Sequence, residues 1–283
     1  MMIKIFPFIF ILLWSSAFIT TKPIIDNSDP FAALAFRFAL VALGFFLFSI
    51  YSKQKIIVSK RNFFESFFSG VLFHGFYLGG VFYSISIGMP TALAALIVTL
   101  QPVLTNALSG PILNEKVSTK QWIGVLLGFI GAGLVLGFDV GSKIPVTALI
   151  ATIIALLAIT FSTLWQKKLS SKLPLSVSNM NQAIGGCIFH LSIIILFVDP
   201  YINFSQTFII AISHQIFLVS FGAFTILMFL IKNNSASKTV SIFFLIPATS
   251  AFMAWAFLNE TLTRLDLIGF LITSIGVYIA TRD

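Results

Sequence analysis

The chain alternates long apolar segments with short stretches that carry charges, Pro, Asn or Gly. The apolar segments have the length that an α-helix needs to cross a bilayer, about 17 to 25 residues. Segments such as 126–136 are apolar on every face, whereas the strands of a membrane β-barrel alternate apolar and polar residues. The pattern therefore predicts ten membrane-spanning helices, near 3–20, 30–51, 63–86, 90–112, 121–138, 146–166, 175–198, 208–231, 237–258 and 265–281.

Composition supports an all-α polytopic membrane protein over a soluble helical domain. Of 283 residues, 58% are hydrophobic, only 9% are charged and 33 are Phe, more than one soluble core of this length can bury. The first apolar run follows a single Lys, as in a signal peptide, but no small-residue cleavage site precedes Lys22. We therefore expect the first segment to remain as a helix.

The positive charges predict the orientation in the membrane. The net charge is +8, but Lys and Arg form short clusters between spans, so a nucleic acid partner is not expected. With ten spans, 13 of the 17 Lys and Arg fall on one side and 3 on the other. The positive-inside rule then places both termini in the cytoplasm of a bacterial inner membrane. The single cysteine, Cys187, excludes an intramolecular disulfide, and we expect no metal and no cofactor.

An internal repeat is the most informative feature of the sequence. A spacing of 145 residues superimposes Leu113-Asn114-Glu115 on Leu258-Asn259-Glu260, and it also carries Pro102 onto Pro247. Residues 1–138 and 146–283 are thus predicted to be two units of five helices. Because five is odd, the second unit enters the membrane from the opposite face. The repeats must be inverted, around a central cavity, which is the arrangement that permits alternating access.

Three features of the chain resemble those of a known family. The segment Trp14-Ser15-Ser16-Ala17-Phe18, the stretch from Pro30 to Arg37-Phe38 and the two Pro-then-Leu-Asn-Glu segments are similar to the ten-helix, EamA-type drug/metabolite transporters. The resemblance implies a secondary transporter with a cavity lined mainly by the first four helices of each repeat. It also implies a small polar or amphipathic substrate, and export of amino acids or related compounds is our leading hypothesis.

Other functions stay open at this stage. One alternative is uptake of a nucleotide-type or other host metabolite, because direction cannot be read from helices. A membrane sensor or an intramembrane enzyme is a weaker alternative. The chain has no His-Glu-x-x-His, no Gly-x-Ser-x-Gly and no paired central carboxylates. Catalysis is therefore not expected.

Arg37 is the one charge placed well inside a predicted span. A charge at that depth is costly unless it is paired. One interpretation is an anchor for a substrate carboxylate or phosphate, which a guanidinium binds bidentately. The other is a structural ion pair with Glu260.

Further cavity candidates are polar or aromatic residues inside predicted spans: Trp14, Ser15, His74, Tyr77, Tyr83, Thr99, Gln101, Phe224, Ser241 and Trp255. His74, His190 and the span-end Glu115 and Glu260 are candidates for proton coupling. No Asp or Glu lies at a span centre, which favours facilitated exchange or diffusion over a proton-driven pump. We expect Pro102 and Pro247 to bend their helices around the site. Glu115 and Glu260 are expected to cap helix ends or to act as gate contacts. Glycine pairs four residues apart, as in Gly124 and Gly128, would serve either a homodimer or packing within the chain.

Overall fold

The computed structural model describes residues 5–89, 91–136, 144–169, 172–258 and 263–282. These residues form ten helical segments: α1 (Phe6–Ile25), α2 (Pro30–Tyr51), α3 (Lys60–Ser86), α4 (Thr91–Val98 and Gln101–Leu113), α5 (Thr119–Leu136), α6 (Val146–Leu169), α7 (Leu175–Phe197), α8 (Gln206–Asn233), α9 (Ala236–Ser241, Ile242–Phe244 and Leu245–Leu258) and α10 (Arg264–Thr281). No strand is present within them beyond one isolated bridge between Ser28 and Ile202.

Most of these helices have the dimensions of membrane spans. Within the described residues, eight are long and apolar enough to cross a bilayer, and α5 contains a shorter apolar helix, Thr119–Val135. Large apolar side chains such as Leu47, Ile195 and Leu271 are exposed on the outside of the bundle, as expected where lipid replaces water. The predicted all-α polytopic membrane fold is confirmed.

Helix starts follow from local sequence. Asp29 begins α2, where its carboxylate accepts the Ala32 N–H at 2.9 Å and Pro30 occupies the first turn. Side chains of Ser59, Ser205, Ser235 and Thr263 cap the starts of α3, α8, α9 and α10 in the same way. At the other end of α1 the prediction is too short. The helix runs through Pro23 to Ile25, and the exposed Lys22 ammonium binds Asp26 just beyond its end at 3.1 Å.

The two halves carry the same helix irregularities. Within α3 the stretch Val71–Leu78 is a π-helix, and within α8 the stretch Gln215–Ala223 is one too. The spacing of 145 residues maps 71–78 onto 216–223. Likewise, α4 is interrupted at residues 99–100 and α9 narrows to a 3-10 turn at Ile242–Phe244. Each interruption lies just before a proline, Pro102 or Pro247, which cannot donate to the preceding turn.

Contacts between α5 and α10 show that the repeats are inverted. Gly124 of α5 lies against Gly276 and Gly131 lies against Gly269. The residue numbers rise along one helix while they fall along the other, so the helices are antiparallel. Since α10 is the repeat of α5, the two copies must cross the membrane in opposite directions. The unit limits 1–138 and 146–283 remain a prediction.

The glycines of α5 are covered within the chain. A methyl group on Gly124 would lie 2.5 Å from Ala280 N, and one on Gly131 would lie 2.6 Å from Gly269 O. Glycine here permits direct contact between helix backbones. The predicted homodimer stays a prediction, and it would need a different face of α5.

Gly276 provides a test of this packing. A side chain there would start 2.5 Å from Gly128 N, so Gly276→Leu must separate α5 from α10 and should destabilise the protein by about 1 to 3 kcal/mol or more. Thermal unfolding of the detergent-purified protein measures the loss. As a control, Gly110→Ala should not lower the melting temperature, because the nearest atom would be 3.7 Å away. Equal melting temperatures for both variants would contradict the close contact.

Candidate functional site

A narrow cavity lies in the centre of the bundle between α1, α2, α3 and α8. Its volume is about 50 Å³, which holds a few water molecules but no metabolite. Its polar lining comes from Thr21, Arg37, His74, Gln215 and Ser220, and its aromatic lining comes from Trp14, Phe18, Phe73, Tyr77, Phe82 and Phe224. The five predicted residues Trp14, Arg37, His74, Tyr77 and Phe224 thus come together at one site.

Arg37 is buried in this cavity with only 4% of its surface exposed. Its Nε donates to Ser220 Oγ at 3.0 Å, and its Nη1 donates to Gln215 Oε1. Within the part of the chain that the structure describes, no carboxylate lies within 4.0 Å of the guanidinium; the ion pairs found there join Lys22, Arg61 and Lys172 to Asp26 and Glu65. Glu260, the predicted partner, lies outside the described residues. Neutral oxygens therefore hold the guanidinium, and its positive charge is not neutralised by them.

The aromatic wall is a continuous set of ring contacts. Trp14 lies 5.3 Å from Phe10 and 6.1 Å from Phe73 between ring centroids, and Tyr77 meets Phe73 edge-on at 5.3 Å. Such contacts fix the rings, because each ring has a preferred geometry relative to the next. The wall is therefore a rigid apolar surface beside a buried cation.

Two histidines, His74 and His190, lie next to these aromatic residues. The His74 ring packs between Phe38 at 4.4 Å and Phe224 at 4.6 Å, and its Nδ1 has no hydrogen-bond partner among the described residues. His190 is fully buried, and its Nε2 lies 2.9 Å from His74 O. Only His74 reaches the cavity. His190 serves the contact between α7 and α3.

Four other predicted residues do not line this cavity. Ser15 Oγ donates to Ile246 O at 3.3 Å, which joins α1 to α9, and Gln101 Nε2 donates to Thr163 Oγ1 at 3.0 Å, which joins α4 to α6. Thr99 is buried, and Ser241 Oγ bonds to Ser237 O in its own helix.

Two aromatic candidates also lie apart from the cavity. Tyr83 packs against Phe31 at 5.8 Å, and Trp255 is 48% exposed beside Phe252. An exposed ring on the outside of the bundle contacts lipid, so it does not contribute to the central wall.

Glu115 caps a helix of the opposite repeat. Its carboxylate accepts the backbone N–H of Ala236 at 3.0 Å and that of Ser237 at 3.5 Å, in the first turn of α9. Those two N–H groups have no partner inside the helix, and a negative charge favours that end of the helix dipole. Glu115 thereby ties the end of α4 to the start of α9.

Polar side chains connect α1 to α8 at one end of the cavity. His214 Nε2 lies 3.0 Å from Ser16 Oγ and His214 Nδ1 lies 3.4 Å from Thr20 Oγ1. Gln215 Nε2 donates to Thr20 Oγ1 and to Thr21 Oγ1, both at 3.2 Å, while Gln215 Oε1 accepts from Arg37. We call this network the α1–α8 clasp.

A second network connects α3 to α6 at the repeat-related positions. Ser69 Oγ lies 3.3 Å from Ser162 Oγ, and Gln166 Nε2 donates to Ser162 Oγ at 3.2 Å and to Gln182 Oε1 at 2.9 Å. Adding 145 carries Thr21 to Gln166, Arg37 to Gln182 and Ser69 to His214. We call this the α3–α6 clasp. Since the repeats are inverted, the two clasps lie at opposite ends of the bundle.

Sequence reasoning missed His214, Gln215 and Ser220. One signal was available, because all three are polar residues within a span that is otherwise mostly apolar. Comparison of the two repeats did not indicate these positions, because the residues equivalent to Gln215 and Ser220 are Gly70 and Gly75.

Comparison with known proteins gives the family. The sequence pattern of the EamA-like transporter family matches residues 1–137 and again residues 146–282. The chain belongs to the EamA-like transporter family. It is therefore a multi-pass membrane protein of a bacterial transporter family, which confirms the resemblance drawn from the sequence. The members of this family are transporters and not enzymes.

Similar proteins are distant in sequence and match over most of this chain. A protein of Salmonella typhimurium named as a probable amino-acid metabolite efflux pump is 23% identical over 95% of this chain and 91% of its own length. An uncharacterized transporter of Bacillus subtilis is 28% identical over 71% of this chain and 65% of its own length. A crystal structure with 17% identity superimposes on 99% of this chain and 96% of its own, with a TM-score of 0.84, and shares the fold.

The position of Gln215 predicts the cost of disturbing the site. Gln215→Leu removes an acceptor of Arg37 and three donations to α1, so it should destabilise the protein by about 2 to 3 kcal/mol. Thermal unfolding in detergent measures this. Gln206→Leu is the matched control, because Gln206 is exposed at the start of the same helix. A Gln215→Leu protein with the same melting temperature as the Gln206→Leu control would contradict the stabilising role of this network.

Proposed function

We propose that this protein is a secondary transporter that exports small amphipathic carboxylates, amino acids or related compounds, by alternating access. The observation that carries the proposal is the buried Arg37 guanidinium, which faces an aromatic cavity with neutral partners only among the described residues. A cation in that position has a large affinity for an anion, because the low dielectric strengthens the attraction.

The lining favours one class of anion. A guanidinium presents a planar fork that pairs with the two oxygens of a carboxylate. The rings of Trp14, Tyr77 and Phe224 lie on the same cavity and favour an apolar or aromatic body attached to that carboxylate. A phosphate also fits the fork, so nucleotides belong among the compounds to be tested.

The two clasps are candidates for the gates. A cavity of about 50 Å³ is too small for an amino acid, so one end of the bundle has to open to admit one. The clasps hold α1 against α8 at one end and α3 against α6 at the other. Opening one while the other stays closed is alternating access between two equivalent packings. The neighbouring π-helical stretches are less regular than α-helix and are suited to this movement.

The proposal includes the orientation of the protein in the membrane and the direction of transport. The distribution of Lys and Arg supports cytoplasmic termini in the inner membrane, which makes the α1–α8 clasp the outer gate and the α3–α6 clasp the inner gate. The name of the Salmonella relative supports outward movement of amino-acid metabolites.

Transport by reconstituted protein tests the substrate class. Proteoliposomes are loaded in turn with unlabelled amino acids, aromatic carboxylates and nucleotides, and counterflow of the labelled compound is measured. We expect flux for carboxylates with an apolar body, and Arg37→Gln should raise KM by about 10- to 100-fold through loss of the charge-assisted hydrogen bonds. Trp255→Phe is the control and should transport normally, since Trp255 is exposed.

Two outcomes would contradict the substrate class. One is unchanged carboxylate flux in an Arg37→Gln protein whose melting temperature equals that of the wild type. The other is flux of nucleotides alone, which would support the uptake alternative.

Crosslinking tests the gates. With Cys187→Ala as background, Ser69→Cys with Ser162→Cys should form a disulfide, because the two Oγ atoms are 3.3 Å apart. A closed crosslink at one end removes one of the two states, so counterflow should fall to background and return on reduction. Each single-cysteine variant is the control. Full counterflow through the oxidised double variant would exclude this clasp as a gate.

A further inference from the structure

His214 occupies an unusual position in the α1–α8 clasp. It is half-buried near the outer end of the cavity, and each ring nitrogen lies within hydrogen-bond distance of a hydroxyl of α1. The equivalent residue of the α3–α6 clasp is Ser69, and its partner is Ser162. Among the described clasp residues, the outer clasp thus contains an imidazole that can take up a proton, and the inner clasp contains only hydroxyl and amide side chains.

The hydrogen bonds around His214 bear on its protonation state. Ser16 Oγ donates its proton to Leu13 O at 2.8 Å, and Thr20 Oγ1 donates its proton to Ala17 O at 3.1 Å. In this arrangement both hydroxyl oxygens accept from the imidazole, and Thr20 Oγ1 accepts from Gln215 Nε2 as well. A neutral imidazole has one N–H, so a hydrogen bond to its second nitrogen requires one of the two hydroxyls to turn away from its backbone carbonyl. An imidazolium donates from both nitrogens and satisfies both contacts.

The charged surroundings of His214 are few. From α1 it meets hydroxyls, and Lys22 and Asp26 pair with each other beyond them at the exposed end. The nearby charge on α2 is Arg37, which is linked to His214 by hydrogen bonds through Gln215 and Thr20. His74 and Tyr77 of α3 line the same cavity farther along. Partial burial and Arg37 both oppose a second positive charge, so the two hydroxyl acceptors are what favour the proton.

We propose that His214 is a proton-binding site that closes the outer gate, and that the transporter is coupled to protons. The proposal rests on the alternating-access function above. In the outward-open state the imidazole takes a proton from water, and the imidazolium then bonds to Ser16 and Thr20 and draws α8 onto α1. The proton leaves to water through the cavity once the inner gate is open. Loss of the proton weakens the clasp, and the outer gate opens again. Outward release of metabolite thus alternates with inward movement of a proton.

The distance between α1 and α8 tests the proposal without any substrate. Spin labels at Lys22→Cys and Thr207→Cys, both exposed at the outer end, are placed in a Cys187→Ala background in liposomes. Double electron–electron resonance is recorded across about pH 5 to 8, where histidine titrates. We expect a short distance at acidic pH and a growing population of longer distances as the pH rises.

Variants assign the response to His214. His214→Gln, which cannot be protonated, should give a distance distribution that does not change with pH. His190→Gln is the matched control, because it changes a histidine outside the clasp and should keep the response. Ser16→Ala removes one acceptor of the imidazolium and should move the midpoint to lower pH by about one unit or more.

Each result decides the matter. A distance that never changes with pH, or a response that His214→Gln or Ser16→Ala leaves intact, overturns the proposal. If His214→Gln does not fold, the Ser16→Ala shift alone makes the decision. A normal pH response combined with no counterflow of carboxylates would instead contradict the proposed substrate and leave the proton site standing.

Discussion

A positive charge held inside the bilayer by neutral oxygens is the constraint on which the centre of this protein depends. Arg37 bonds to Gln215 and Ser220 of α8, and Gln215 in turn bonds to Thr20 and Thr21 of α1. These bonds occupy two of the five donors of the guanidinium without cancelling its charge. Three helices from both repeats are therefore held together around a site that still attracts an anion.

Polar groups elsewhere in the bundle have a different role. Ser15, Gln101 and Glu115 each bond across to a helix of the other repeat, and they do so away from the central cavity. Lipid offers no alternative partners, so every such bond fixes a helix contact. The two clasps also join helices of different repeats, but they do so at opposite ends of the bundle.

Much of the fold could be predicted from the sequence, and less of the site. Helix positions follow from hydropathy because lipid selects apolar residues over a fixed thickness, and the inversion follows from an odd number of spans per repeat. Residue depth is predictable in the same way, which is why Arg37 and Trp14 were found. The direction in which a side chain points around its helix is set by neighbouring helices. For that reason Ser15, adjacent to Trp14 in sequence, was expected in the cavity and instead bonds to Ile246.

The matching π-helical stretches have a consequence for the history of the protein. A π-helical turn holds an extra residue and is rare, yet it occurs at 71–78 and again, in register, at 215–223. The simplest account is that one ancestral gene of half this length already carried it before it was duplicated and fused. Two copies of that ancestor, inserted in opposite orientations, would have assembled what is now a single polypeptide.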